Sequence, residues 1–175
     1  MKKILILVSL LVAQTIVFAQ KVSGIASNVH DGDTFKLTIA DGTILKIRLA
    51  NIDAPELEQA HGKASRDFLK SLIDQKNVSV ELQTKDKYTR LVGVVFLNNQ
   101  NVNQALVANG QAWHYLKYSK DSELFSIEKM AKAHKKGLWK DENPTPPWKY
   151  REEKRAVQKL NRQHSVMVNK KYDYN

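Results

Sequence analysis

Residues 28–37, NVHDGDTFKL, set Asp31 and Asp33 on either side of a glycine, just ahead of an alternating apolar run. Carboxylates so placed either close a turn by accepting backbone N–H groups or hold a hard cation through oxygen. A calcium loop of the EF-hand type fails. Counted from Asp31, Phe35 takes the fifth position, Lys36 stands at the sixth where glycine belongs, and Gly42 falls where a bidentate Glu belongs. A D-x-D-x-T phosphatase signature fails too, because Phe35 occupies the threonine position. The absence of cysteine rules out disulfide scaffolds and cysteine metal sites. His30, His61 and His134 show no metal-ligand spacing.

The elements that must position these acids begin with a hairpin. Phe35, Leu37 and Ile39 alternate with polar residues, as do Leu45, Ile47 and Leu49, around Asp41-Gly42-Thr43. A three-residue loop there predicts the pairs Phe35 with Leu49, Leu37 with Ile47 and Ile39 with Leu45. Arg48 then lies beside Lys36 on the polar face, with Asp33, Asn51 and Asp53 near one end. Residues 62–76 carry Ala64, Phe68 and Leu72 beside Ser65, Leu69 and Ile73, the spacing of an amphipathic helix. VSVEL and LVGVVFL read as strands joined by the charged loop QTKDKYTR. A short helix over 102–109 ends at Gly110, and another runs over 121–136 with Leu124, Ile127 and Ala131 inward. PTPPW at 144–148 is expected to stop regular structure, with an exposed helix after it. The order predicts a small α+β domain built on a short closed barrel.

Length and composition suit one globular domain over residues 20–143: 175 residues, 42% apolar and 26% charged. Lys2, Lys3 and the apolar run to Ala19 have the form of a signal peptide over 1–19, which predicts export, to the medium or a cell-envelope compartment, without stable membrane association after cleavage. The formal charge is +10, and the tail at 144–175 contributes eight Lys or Arg against three acids. Such a balance favours polyanionic partners through counterion release.

DGDT, IRLANIDAPE, GKAS, DKYTR and VNQALVANGQA come in the order and spacing of the staphylococcal nuclease (thermonuclease) family, which the chain resembles over about 22–142. The resemblance implies an OB-like five-stranded β-barrel with three helices, cleaving DNA and RNA phosphodiesters with Ca²⁺ to leave 3′-phosphates. It implies Asp33, Asp53 and the backbone carbonyl of Ala54 as metal ligands, Arg48, Glu56 and Arg90 as the catalytic set, and Lys87, Tyr88 and Tyr118 as substrate contacts. Those residue types suit the chemistry: oxygen ligands hold a hard cation, guanidinium forks neutralise charge on phosphate oxygens, and Glu56 orients or deprotonates a water. The chain departs from the family at Tyr88-Thr89-Arg90, where the family has glycine in the middle, and in lacking a tyrosine at Leu116, although Tyr115 adjoins it. Trp113, His114 and Trp139 are expected to pack. The function expected is an exported, monomeric, calcium-dependent nuclease. Two rivals differ from it in kind: an OB-type module that binds nucleic acid without cutting it, and a phosphodiesterase for small substrates.

Overall fold

The computed structural model describes the backbone of residues 20–172 and the side chains of residues 20–164. The predicted signal peptide and its cleavage after Ala19 lie outside the described residues. Three strands, β1 (Lys21–Ser27), β2 (Thr34–Ile39) and β3 (Ile44–Leu49), form an antiparallel meander. After the short β4 (Ile52–Asp53) and helix α1 (Gly62–Ile73), β5 (Asn77–Lys85) pairs with β1 and with β6 (Leu91–Leu97). Parallel pairing of β3 with β6, Arg48 opposite Val92, closes the five strands into a barrel and leaves no edge between them. The short β7 (Gln100–Asn101) leads into α2 (Val102–Ala108). Next, β8 (Trp113–His114) pairs with β4, and α3 (Ser122–Ala133) follows. This is the predicted α+β barrel, with one correction. Among the described residues there are four α-helices where three were expected, the last being α4 (Pro147–Tyr172).

The hairpin register also differs from expectation. Phe35 faces Ile47 and Leu37 faces Leu45, because the loop is Ala40-Asp41-Gly42 and its third residue must take the left-handed conformation, which Gly42 does at φ 84°. The slip amounts to two residues on the partner strand, an even number, so every side chain keeps its predicted face. Phe35, Leu37, Ile47 and Leu49 are all buried, joined by Val78, Val80 and Val95 from β5 and β6. Helix α1 covers one end of the barrel with Leu69 and Ile73, while Ala64, placed on its apolar face by the sequence, is exposed. Leu106 and Val107 of α2 and Leu124 of α3 complete the cluster. Burial of each such side chain stabilises the fold by ~1.5–3 kcal/mol.

Asn101 and Asp121 begin α2 and α3 by accepting backbone N–H groups of their first turns. Residues 144–146 lack regular structure and an exposed helix follows them, as expected. The helix begins earlier than expected, at Pro147 within PTPPW, where the missing N–H costs nothing and the fixed φ suits the first turn. Among the described residues no helix is long and apolar enough to cross a membrane.

Candidate active site at the mouth of the barrel

Asp33 ends the loop before β2, Arg48 projects from β3 and Asp53 sits on β4, and barrel closure brings the three together. One nitrogen, Arg48 Nη2, donates to Asp53 Oδ1 at 2.8 Å and lies 3.2 Å from Asp33 Oδ2. The other fork nitrogen, Nη1, donates to the carbonyls of Leu49 and Ile52 at 3.0 and 3.1 Å. Arg48 is therefore fixed on both sides. Buried Asn103 supports the turn beyond β3, donating to the Ala50 carbonyl at 2.8 Å and accepting from the Val95 N–H at 3.0 Å.

Asp33 also accepts from the Ala54 N–H at 3.1 Å and from the Thr34 hydroxyl at 2.9 Å. The Thr34 hydroxyl in turn accepts from Arg90 Nη1 at 3.0 Å. Asp31 accepts the Asp33 N–H at 3.0 Å and so closes the turn, the first of the two roles open to it. Gly32 between them has no room for a side chain: a Cβ there would lie 1.9 Å from Ser65 Oγ and 2.7 Å from the Ala54 methyl. That close approach holds the acidic loop against α1.

Arg90 is tied more closely than a loop residue need be. Its Nε donates to Asp86 Oδ2 at 2.8 Å, its own N–H donates to Asp86 Oδ1 at 3.0 Å, and its guanidinium lies 5.6 Å from the centre of the Tyr88 ring. Burial works against the Asp86 charge, but the bonds from Arg90 outweigh it and hold the carboxyl below its ordinary pKa. The preceding Thr89, where the family has glycine, adopts φ 65° all the same. A β-branched residue there carries local strain of ~1–2 kcal/mol.

The residue that completes the cluster was not among those expected at the site. Arg151, on the first turns of α4, donates from Nη1 to Glu56 Oε1 at 2.8 Å and to Asp53 Oδ1 at 3.2 Å, and from Nη2 to Asp53 Oδ2 at 2.7 Å. A continuous chain of polar contacts now runs from Arg90 through Thr34, Asp33, Arg48, Asp53 and Arg151 to Glu56. Four carboxylates share this mouth. Burial, then the Asp33 charge, pushes the Asp31 carboxyl up to about 7. Burial pushes Asp53 up to about 6, against the pull of its bond from Arg151 and the attraction of Arg48. The guanidinium of Arg48 loses hydration on burial, but Asp33 and Asp53 more than compensate and raise its pKa.

An open cleft of about 1390 Å³ lies over this chain, lined by Asp33, Arg48, Glu56 and Arg90 and flanked by Lys87, Tyr88 and Tyr118. Tyr88 and Tyr118 are both about two-thirds exposed, as stacking platforms must be. Tyr115 meets Tyr118 edge-on at 4.9 Å and stacks on Trp148 of α4 at 5.4 Å, while Leu116 points to solvent with 62% exposure. Trp113, paired opposite Asp53, packs between Trp139 and Trp148 at 5.3 and 6.5 Å. Trp113, His114 and Trp139 thus pack as expected, and Trp148 was not foreseen.

The profile of a family described as staphylococcal nuclease homologue matches residues 46–141. An uncharacterized endonuclease of Escherichia coli is 40% identical over 139 residues, covering 79% of this chain and 90% of its own. The chain belongs to the staphylococcal nuclease family. A second uncharacterized endonuclease, from Haemophilus influenzae, is 39% identical over 127 residues, 73% of this chain and 71% of its own. A micrococcal nuclease of Shigella flexneri is 38% identical over 134 residues, 70% of this chain and 76% of its own. The profile match ends before α4, so Trp148 and Arg151 lie outside the part of this nuclease-family chain that it covers.

A metal site in a chain of this family can be tested against the side chains present. Among the described residues no group of three or more His, Cys, Asp or Glu is gathered as a ready cage. Two carboxylates nevertheless converge on a single nitrogen, in a mouth where burial, and after it the neighbouring Asp33 charge, raises the pKa of Asp31 and Asp53. Hard carboxylate oxygens brought this close together fit a divalent cation of the calcium type.

Proposed function

We propose that this protein is an exported, monomeric, calcium-dependent nuclease that hydrolyses phosphodiester bonds of DNA and RNA and leaves 3′-phosphates. The observation that carries the reading is the shared Arg48 nitrogen, which brings Asp33 and Asp53 to one point beside Glu56 on the wall of an open cleft. Asp33 and Asp53, with the Ala54 carbonyl, would hold the Ca²⁺, which supplies positive charge to the scissile phosphate and acidity to water. Arg90, fixed by Asp86 and Thr34, donates to phosphate oxygens as negative charge builds on them, and Arg48 adds its charge from the barrel wall. A water oxygen forms the new bond to phosphorus while its proton passes to Glu56. The bond from phosphorus to the 5′-oxygen breaks, and the electron pair leaves with that oxygen. Lys87, Tyr88 and Tyr118 hold the flanking nucleotides by charge and stacking, which favours strands flexible enough to splay their bases.

Export rests on the signal-peptide form of residues 1–19. Incubation of the mature protein with denatured DNA, in calcium and then in excess chelator, tests the proposal. Fragments ending in 3′-phosphate are expected in calcium alone, and none from Asp53→Asn. Intact DNA that stays bound in calcium would establish the binding-module reading instead.

A further inference from the structure

We infer that Arg151 is a built-in competitor for the divalent cation of the Asp33–Asp53 site, so that docking of the first turns of α4 and cation binding oppose each other. This rests on the calcium reading above.

The argument starts from the oxygens of Asp53. A carboxylate offers about four lone-pair positions. Arg151 takes one on each oxygen, at 3.2 and 2.7 Å, and Arg48 takes another at 2.8 Å. The Asp53 side chain has no solvent exposure, and it does not line the cleft, whereas Arg151 does. Arg151 therefore stands between the cleft and the carboxylate a cation must reach. The same fork holds Glu56, so one guanidinium covers both the proposed ligand and the proposed proton acceptor. A dication and a guanidinium on one carboxylate also repel each other, and around the buried Asp53 carboxylate that repulsion is weakly screened.

The helix that carries Arg151 is attached in a way that permits it to leave. No described side chain of α4 belongs to the hydrophobic core. Its anchorage is the stack of Trp148 on Tyr115 and its edge contact with Trp113, the Gln59 amide donating to the Thr145 carbonyl at 2.5 Å, buried Pro147, the ion pairs of Arg151 with Asp53 and Glu56, and that of Lys154 with Glu58. Residues 152–164 are all exposed. Withdrawal of the first turns thus breaks side-chain contacts around the cleft and leaves the barrel whole. Because the two events use the same oxygens, linkage requires that whatever loosens α4 tightens the cation, by the same factor.

Calorimetric titration of the mature protein with calcium, without substrate, decides the matter. Arg151→Gln is expected to bind calcium more tightly than the wild type by roughly 5- to 150-fold. Trp148→Ala, which loosens docking without touching a carboxylate, is expected to shift affinity in the same direction by a smaller factor. Calcium should change the tryptophan emission of the wild type, and most of that change should vanish in Trp148→Phe. Unchanged or weaker affinity in both Arg151→Gln and Trp148→Ala, with native circular dichroism, would overturn the inference. If neither the wild type nor Arg151→Gln binds calcium, the calcium reading itself falls, and the inference with it.

Discussion

The two walls of the cleft are built by different means. On the barrel wall, Arg48 is placed by strand register on both sides, Thr34 opposite it in β2 and Val92 beside it in β6, and Asp53 is placed by the pairing of β4 with β8. On the helix wall, Trp148 and Arg151 are placed by a stack and two ion pairs. Backbone ladders locked by a core resist displacement, since a shift in one strand disturbs a dozen buried side chains. A partly exposed ion pair such as Arg151–Glu56 contributes ~0–1 kcal/mol and resists little, so on this wall only the two-point contact of Arg151 with buried Asp53 holds more firmly. The difference assigns precision to the barrel and adjustability to the helix: groups that must stand within fractions of an ångström of the reacting phosphate belong on the first wall.

Glu56 lies where the walls meet, and its replacement is expected to have the largest effect. Glu56→Gln keeps the shape and the acceptor for Arg151 but loses the proton acceptor, so kcat should fall by about 10²–10⁴ with KM nearly unchanged. Single-turnover and steady-state rates check this. A rise in KM alone would move Glu56 from the chemistry to the docking of α4.

Stability separates the walls directly. Leu69→Ala, which opens a cavity between α1 and the barrel, should cost ~2–5 kcal/mol in urea unfolding. Truncation after Asn143 removes the whole helix wall and should cost less than ~2 kcal/mol, because only half-buried rings and ion pairs are lost. It should also flatten the salt dependence of polymer binding, since the tail carries eight cations. A truncated chain that fails to fold would erase the distinction between the walls.

Smaller effects test the loop that holds Arg90. Thr89→Gly relieves the positive φ and should stabilise the protein by about 1 kcal/mol in the same unfolding assay. Asp86→Asn should be smaller still, and dependent on pH. The folded pKa of Asp86 lies below its unfolded value, so its stabilisation is present above that unfolded value and disappears as pH falls through the folded one. The melting temperatures of wild type and Asp86→Asn should therefore differ at pH 7 and converge in strong acid.

The barrel wall was legible because its signals are local. Alternation fixed the faces of β2 and β3, and the acids and Arg48 fell at one end whichever register held. The exact pairing was missed because Asp41-Gly42 fits several loops until the residue that must take positive φ is known. The helix wall was not legible for two reasons. Prolines mark a helix start as readily as a stop, and only the missing-donor argument at Pro147 distinguishes them. More fundamentally, Arg151 lies 98 and 95 residues from its partners Asp53 and Glu56, and no periodicity links positions so distant. A cue did exist: Trp148, Arg151 and Arg155 share one helical face three to four residues apart, and all three line the cleft.

The parallel seam between β3 and β6 also has a consequence in time. Its strands are separated by all of β4, α1 and β5, so the seam closes a long loop, and such pairings form late because chain entropy must be lost before any contact rewards it. Arg48 stands in that seam, and its neighbour Asp53 needs β8, which comes later still in the chain. A nascent or still unfolded chain holds its acids and arginines far apart. Cutting ability should therefore arrive in a single late step, once the β3–β6 seam and the β4–β8 pairing are both in place.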